Sequence, residues 1–233
     1  MNILVIDTAS PLEIIAARAG GSAVETSALV NTSHSVTILD TIDRCLTKLG
    51  LAAGDLDVIG VGVGPGSFTG IRIAVSTARM LAQVLGKPLV GLQTQLIYAV
   101  CVEAERGDNI LVAFDAKKGR VFGALYRKSG QPLSPDEVVA PGDYPIQRLL
   151  ERVDASRPTF LLGNGIEKYP DAVSALNKRV ILRDFAPSGK IICDLAFDAY
   201  RKNPCGYGDY NRVVPCYARK SDAETAKETK DKG

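Results

Sequence analysis

The sequence predicts an α/β protein built as two lobes of related plan. Three observations carry that prediction. Short apolar runs rich in β-branched residues, such as Ile3-Leu4-Val5-Ile6 and Val58-Ile59-Gly60-Val61-Gly62-Val63, alternate with longer segments of helical periodicity. The opening Ile3-Leu4-Val5-Ile6-Asp7-Thr8-Ala9 finds an echo in Ile110-Leu111-Val112-Ala113-Phe114-Asp115-Ala116, each a buried strand ending in aspartate and each followed by a second strand. A chain of 233 residues with 46% hydrophobic content can bury one large core or two, and the echo favours two.

Taken in order, the first strand ends at Asp7-Thr8-Ala9-Ser10, and runs at 12–19 and 22–29 flank the turn Gly20-Gly21, giving a three-strand opening. Ser33 caps a helix through residue 49, with Ile38, Ile42, Cys45, Leu46 and Leu49 on one apolar face and Gly50 closing it. The strand at 58–63 enters the loop Gly64-Pro65-Gly66-Ser67-Phe68-Thr69-Gly70, and a helix follows at 71–85. A strand at 88–92, a helix at 95–105 and the turn Arg106-Gly107-Asp108-Asn109 complete a first lobe, 1–105. The second lobe, 106–220, continues with the strand at 110–114, the turn Lys117-Lys118-Gly119, a strand at 120–126 and a Pro-rich connection. Then come a helix at 145–153, a strand at 159–162, the turn Gly163-Asn164-Gly165 and a helix at 188–201. The end, 221–233, alternates Lys with Asp and Glu and has no large apolar residue, which predicts a solvated or disordered tail.

The loop and the helix behind it are the most specific feature. Gly64, Gly66 and Gly70 permit backbone angles that a Cβ would forbid, while Ser67 and Thr69 place hydroxyls near the first orphan N–H groups of the helix. Two readings stand: an anion cradle, or a tight strand-to-helix connection that binds nothing, since the P-loop lysine is absent. A nucleophile elbow does not fit, because Phe68 stands centrally between Gly66 and Gly70 and the single histidine lies upstream.

On the helix, Arg72, Ser76, Arg79 and Gln83 form one narrow polar stripe. Ile71, Ala74, Val75, Ala78, Ala82 and Leu85 make a face suited to a sheet, and Ile73, Thr77, Met80 and Val84 make a second one. Leaving Ile73, Met80 and Val84 in water forgoes roughly 5 to 8 kcal/mol of burial, comparable with the stability of a whole domain. Either another subunit covers that second face, with Arg72 at its edge, or further layers of the chain's own fold do.

Net charge and cysteine usage bound the partners. A charge of +2 from 28 basic and 26 acidic residues gives no electrostatic case for independent nucleic-acid or membrane binding, so any RNA contact would be shared with another protein. Five cysteines, Cys45, Cys101, Cys193, Cys205 and Cys216, are odd in number and never spaced Cys-x-x-Cys, which suggests reduced thiols and no zinc site. Met1 runs straight into a strand and no apolar stretch approaches bilayer length, so a cytoplasmic protein is expected. Asp7 and Asp115, at strand ends facing an expected interlobe cleft, are candidate nucleotide or Mg²⁺ contacts or, alternatively, turn caps. Gly163-Asn164-Gly165 is read as a strand-end turn, with adenine contact the alternative.

Together Ile6-Asp7-Thr8-Ala9, the loop 64–70 continuing into Ile71-Arg72-Ile73, Asp115-Ala116-Lys117-Lys118-Gly119-Arg120-Val121-Phe122 and the late Tyr217-Ala218-Arg219 resemble the bacterial TsaB (YeaZ) family, over nearly the whole chain to about Lys220. The resemblance implies a two-lobed fold of the actin, sugar-kinase and Hsp70 (ASKHA) type, with mixed β-sheets flanked by helices. It also implies a non-catalytic partner in making N6-threonylcarbamoyladenosine at position 37 of tRNAs that read ANN codons. The implied partners are TsaD, the catalytic paralogue, and the ATPase TsaE, with a homodimer when alone, tRNA met only within the complex, and no membrane. The first-lobe helices 33–49 and 70–85 are the implied dimer elements; no cofactor is expected of the chain by itself, and ATP or ADP with Mg²⁺ is a candidate at the subunit interface. Ala74 stands where family members commonly carry glycine, an expected change in how closely that helix is approached.

Two alternatives belong to other classes. An independent ATPase or kinase would use Asp7, and a peptidase-like enzyme would need ligands of the metal-dependent relatives, which carry two histidines one helical turn apart. Here Ile38 stands four residues after His34, so that pair cannot form, and His34 reads as an ordinary residue at a helix N-terminus.

Overall fold

The computed structural model describes residues 1–29, 34–176, 178–204 and 209–219. The three-strand opening is β1 (Asn2–Asp7), β2 (Leu12–Ala19) and β3 (Ser22–Leu29), antiparallel neighbours in sequence order. Helix α1 (His34–Lys48) leads to β4 (Val58–Gly62), α2 (Phe68–Leu85), β5 (Leu89–Leu92) and α3 (Thr94–Val100). The second half holds β6 (Asn109–Asp115), β7 (Arg120–Arg127), β8 (Asp136–Pro145), α4 (Ile146–Leu150), β9 (Thr159–Leu162), α5 (Asn164–Lys168), α6 (Pro170–Ser174), β10 (Arg179–Leu182) and α7 (Gly189–Lys202).

The echo between residues 3–9 and 110–116 is a true repeat of plan. One sheet is ordered β3-β2-β1-β4-β5 and the other β8-β7-β6-β9-β10. In each, the two strands after the first pair antiparallel in sequence and the next two join it in parallel. Strand alternation divides the core into layers. Leu4 and Ile6 of β1 pack with Ile15, Ile59 and Val61 under α1 and α2, whereas Ile3 and Val5 face the middle of the molecule. Ile110, Val112 and Phe114 of β6 meet them there across α3 and α7, and Leu111 and Ala113 turn to the outer layer of α4 and α5.

Several expected elements need correction. The stretch before Pro145, read as a Pro-rich connection, holds β8 (Asp136–Pro145), an edge strand whose register shifts near Gly123 and Leu125 accommodate Pro141. The helix expected at 95–105 ends at Val100, because Val102 is buried in the central core and its carbonyl accepts from Lys128 Nζ. The helix expected at 145–153 is shorter, 146–150, and Phe68, Thr69 and Gly70, read as loop, are the first turn of α2. Asn164 and Gly165, read as turn, open α5. The late helix, assigned with 106–220 to the second lobe, returns as α7 to lie across β2, β3, β1 and β4 of the first sheet. Arg18 of β2 pairs there with Asp194 and lies 5.6 Å above the Phe197 ring. By packing, the second lobe is the sheet 109–182 with α4–α6. The Ser33 cap and the tail 221–233 lie outside the described residues, and His34 is the first residue of α1.

Candidate functional site

The Gly-rich loop holds the chain's own first strand end. The Ser67 N–H donates to the Ala9 carbonyl (2.8 Å) and the Thr8 hydroxyl donates to the Gly70 carbonyl (2.6 Å). A Cβ on Gly66 would overlap the Ala9 carbonyl, and one on Gly70 the Thr8 carbonyl, which is why neither position tolerates a side chain. The Ser67 Oγ accepts the Gly70 N–H at 3.2 Å as the N-cap of α2, while Gly64 takes φ +94 and its peptide with Pro65 is cis. The loop is thus a tight strand-to-helix connection packed against residues 8 and 9.

Asp7 sits beneath that loop with 0% exposure, against Gly62, and its Oδ1 accepts the Ala9 N–H at 2.8 Å. Burial lifts its carboxyl from 3.8 to about 6, against the pull of the Ala9 N–H and the Thr94 hydroxyl. Asp7 was expected to face the cleft; it lies behind the cleft wall. Asp115 does line the cleft, half-buried, with Oδ1 accepting the Lys117 N–H at 2.8 Å. Both aspartates thus cap the turns that follow their strands. The cleft itself, about 890 Å³, lies between Gly66–Thr69 of the loop, Phe114–Lys117 of the second lobe and Tyr217–Arg219. Gly163 and Asn164 border a neighbouring, mainly apolar cavity with Tyr98, Phe114 and Phe185.

The outer face of α2 is where the two sequence readings part. Ile71, Ala74, Val75, Ala78 and Ala82 are buried against the sheet, as the spacing predicts. Ala74 is in that set with 0% exposure, so its side chain bears on internal packing and not on approach to the outer face. Ile73 and Thr77 are half-buried, Ile73 in contact with the first-lobe core, whereas Met80 is 47% and Val84 76% exposed. No further layer of the described residues covers the last two. The polar stripe is less free than expected. The Arg79 guanidinium donates to the Val213 carbonyl (3.0 Å from Nε), and Arg72 lies 4.0 Å above the Phe68 ring and donates to the Tyr217 hydroxyl (3.0 Å).

Two features escaped sequence reasoning. Gln95, fully buried, spans the lobes by donating from Nε2 to the carbonyls of Pro65 (2.9 Å) and Phe122 (3.3 Å). The segment 213–219 lies along α2 and the loop, and only its Tyr217-Ala218-Arg219 motif signalled its importance. Among the described residues no three metal-ligating side chains cluster, no helix is long and apolar enough to cross a membrane, and Cys45, Cys101, Cys193 and Cys216 are unpaired.

Comparison with known proteins follows the same lines. A family model described as TsaD, tRNA N6-adenosine threonylcarbamoyltransferase, matches residues 23–190. The tRNA threonylcarbamoyladenosine biosynthesis protein TsaB of Bacillus subtilis is 29% identical over 230 residues, 96% of each chain. Its namesake of Escherichia coli is 28% identical over 202 residues, 85% of this chain and 84% of that one. The solved structure of YeaZ from Pseudomonas aeruginosa superposes with a TM-score of 0.79 at 24% identity, covering 93% of this chain and 99% of that chain, a likeness of fold. The two mixed sheets flanked by helices are thus the fold that the two structures share. With the match running through most of both lobes, the chain belongs to the TsaD tRNA N6-adenosine threonylcarbamoyltransferase family, within its TsaB (YeaZ) branch.

Proposed function

We propose that this chain is a non-catalytic assembly subunit for threonylcarbamoyl transfer to N6 of adenosine 37 in tRNAs that read ANN codons, working through a TsaD-type paralogue and TsaE. The observation that carries the reading is the outer face of α2, where Met80 and Val84 stand exposed beside a helix face that is otherwise fully packed. Arg72, Ile73 and Thr77 border that surface and complete the proposed contact. The same face serves a homodimer when the paralogue is absent.

A supporting role fits the geometry of the catalytic candidates. Thr8 and Ala9 fill the Gly-rich loop, and the Asp7 carboxyl is sealed behind it, so the groups that a nucleotide would need are spent on the chain's own fold. In this reading ATP or ADP with Mg²⁺ binds at the boundary between subunits, tRNA is met only within the complex, and the assembly works in the cytoplasm.

Co-purification with the TsaD-type paralogue tests the reading. Met80→Asp and Val84→Asp should each leave the chain folded and abolish the complex, because burying an unpaired carboxylate costs more than the contact it replaces. Undiminished co-purification of both variants would refute it.

A further inference from the structure

The chain crosses between the lobes after α3 and again after β10, and the segment 213–219 makes a third crossing, at the mouth of the cleft. It is anchored along its length. The Val213 side chain is buried beside Gly91, and its carbonyl receives Arg79 of α2. The Cys216 N–H donates to the Val63 carbonyl at 2.7 Å, at the start of the Gly-rich loop. The Tyr217 ring stacks on Phe68 of the first α2 turn, centroids 4.8 Å apart, and its hydroxyl takes the Arg72 Nε. Arg219 then reaches the second lobe, donating from Nη1 to the Ala116 carbonyl at 3.3 Å. Within seven residues the segment thus touches β4's end, α2 and the β6–β7 turn, and Tyr217, Ala218 and Arg219 form one wall of the cleft.

We propose that residues 213–219 are a clasp that closes the cleft mouth and fixes the first turn of α2 through one set of contacts, so that releasing it loosens both together. Gln95 is the inner counterpart, joining Pro65 of the same loop to Phe122 of the second lobe. Phe68 and Arg72 are the shared elements: Phe68 lines the cleft, and Arg72 stacks on it while standing at the edge of the outer face of α2. The opening of the cleft and the presentation of that face are then coupled mechanically, whether or not a partner is present.

Hydrogen–deuterium exchange of the full chain with peptide resolution tests this. Tyr217→Ala should speed exchange at least about tenfold in two separate regions, 64–72 and 114–120, since an aromatic pair and a hydrogen bond are lost together. Arg219→Ala, which removes one surface-side anchor and leaves the stack intact, should raise exchange at 114–120 and do so more weakly at 64–72. Val214→Ala, on an exposed side chain of the same segment, should change neither. Faster exchange confined to 213–219 in both anchor variants, or a rise in one lobe alone with Tyr217→Ala, would overturn the clasp.

Discussion

Replacing Asp7 by Asn should change how the stability of this protein depends on pH, and by a predictable amount. Asp7 is fully enclosed, and burial raises its carboxyl from 3.8 to about 6. Between those values the folded state holds the proton while the unfolded chain has released it, so the folded state binds more protons and stability falls as pH rises through the window. Above about pH 6 both states are ionised and the loss levels off. At about 1.4 kcal/mol for each tenfold change in proton affinity, the ionised carboxylate costs about 3 kcal/mol at neutral pH. Asn keeps an acceptor for the Ala9 N–H and carries no charge, so Asp7→Asn should match the parent near pH 4 and exceed it by about 3 kcal/mol near pH 7.5. Asp154 and Asp198, held below the usual range chiefly by Ser156 and Lys202, act with the opposite sign and cancel in the difference. Urea unfolding of both proteins across this range is the assay. A difference between them that does not vary with pH would refute the buried-carboxylate account.

Three further outcomes are expected. Gly70→Ala should lower unfolding free energy by at least about 2 kcal/mol, because its Cβ meets the Thr8 carbonyl and disrupts the Thr8 hydroxyl bond; a midpoint within error of the parent would contradict the close approach. The purified chain alone should turn over no ATP above a blank, and turnover that disappears in Asp7→Ala would establish an independent ATPase. Ile59→Ala, at a fully buried position beneath α2, should cost about 2 to 5 kcal/mol, measured by denaturant midpoint, and a smaller loss would mean the first-lobe core collapses around the cavity.

Where the sequence was legible, the signal was local. β2 and β3 have the bounds that alternation and the Gly20-Gly21 turn predict, and β9 matches its short apolar run. The repeat of two sheets could be read from one seven-residue echo, because a buried strand running into an aspartate turn is the same local problem solved twice. What stayed hidden depended on distant partners. The periodicity of α7 marks a helix with one apolar side and says nothing of which sheet receives it. Gly66 and Gly70 of the loop announce close approach, yet the approaching atoms are carbonyls about 60 residues away in the chain, at Ala9 and Thr8. β8 carries Pro141 and Pro145, which argue against a strand until an edge position and a register shift make room for them.

The clasp is the clearest case of an illegible feature. Most of its polar anchors use a main-chain group, the carbonyls of Val213, Val63 and Ala116 and the N–H of Cys216, and the side chains that meet these or Tyr217, namely Arg79, Phe68 and Arg72 of α2 and Arg219 of the segment, lie far from their partners in sequence. The Tyr217-Ala218-Arg219 motif marks the segment without announcing those pairings. The outer face of α2 was legible for the converse reason, since Met80 and Val84 are apolar where spacing puts them outside, while half-buried Ile73 shows that spacing overstates how much of that face is open.

The proposed assembly role turns on that face, and the mass of the complex tests it most directly. Mixing the chain with its TsaD-type paralogue and measuring the mass in solution should give a stable complex for the parent, and separate species for Met80→Asp and Val84→Asp with unchanged folding. Complexes of equal mass and abundance from all three proteins would contradict it.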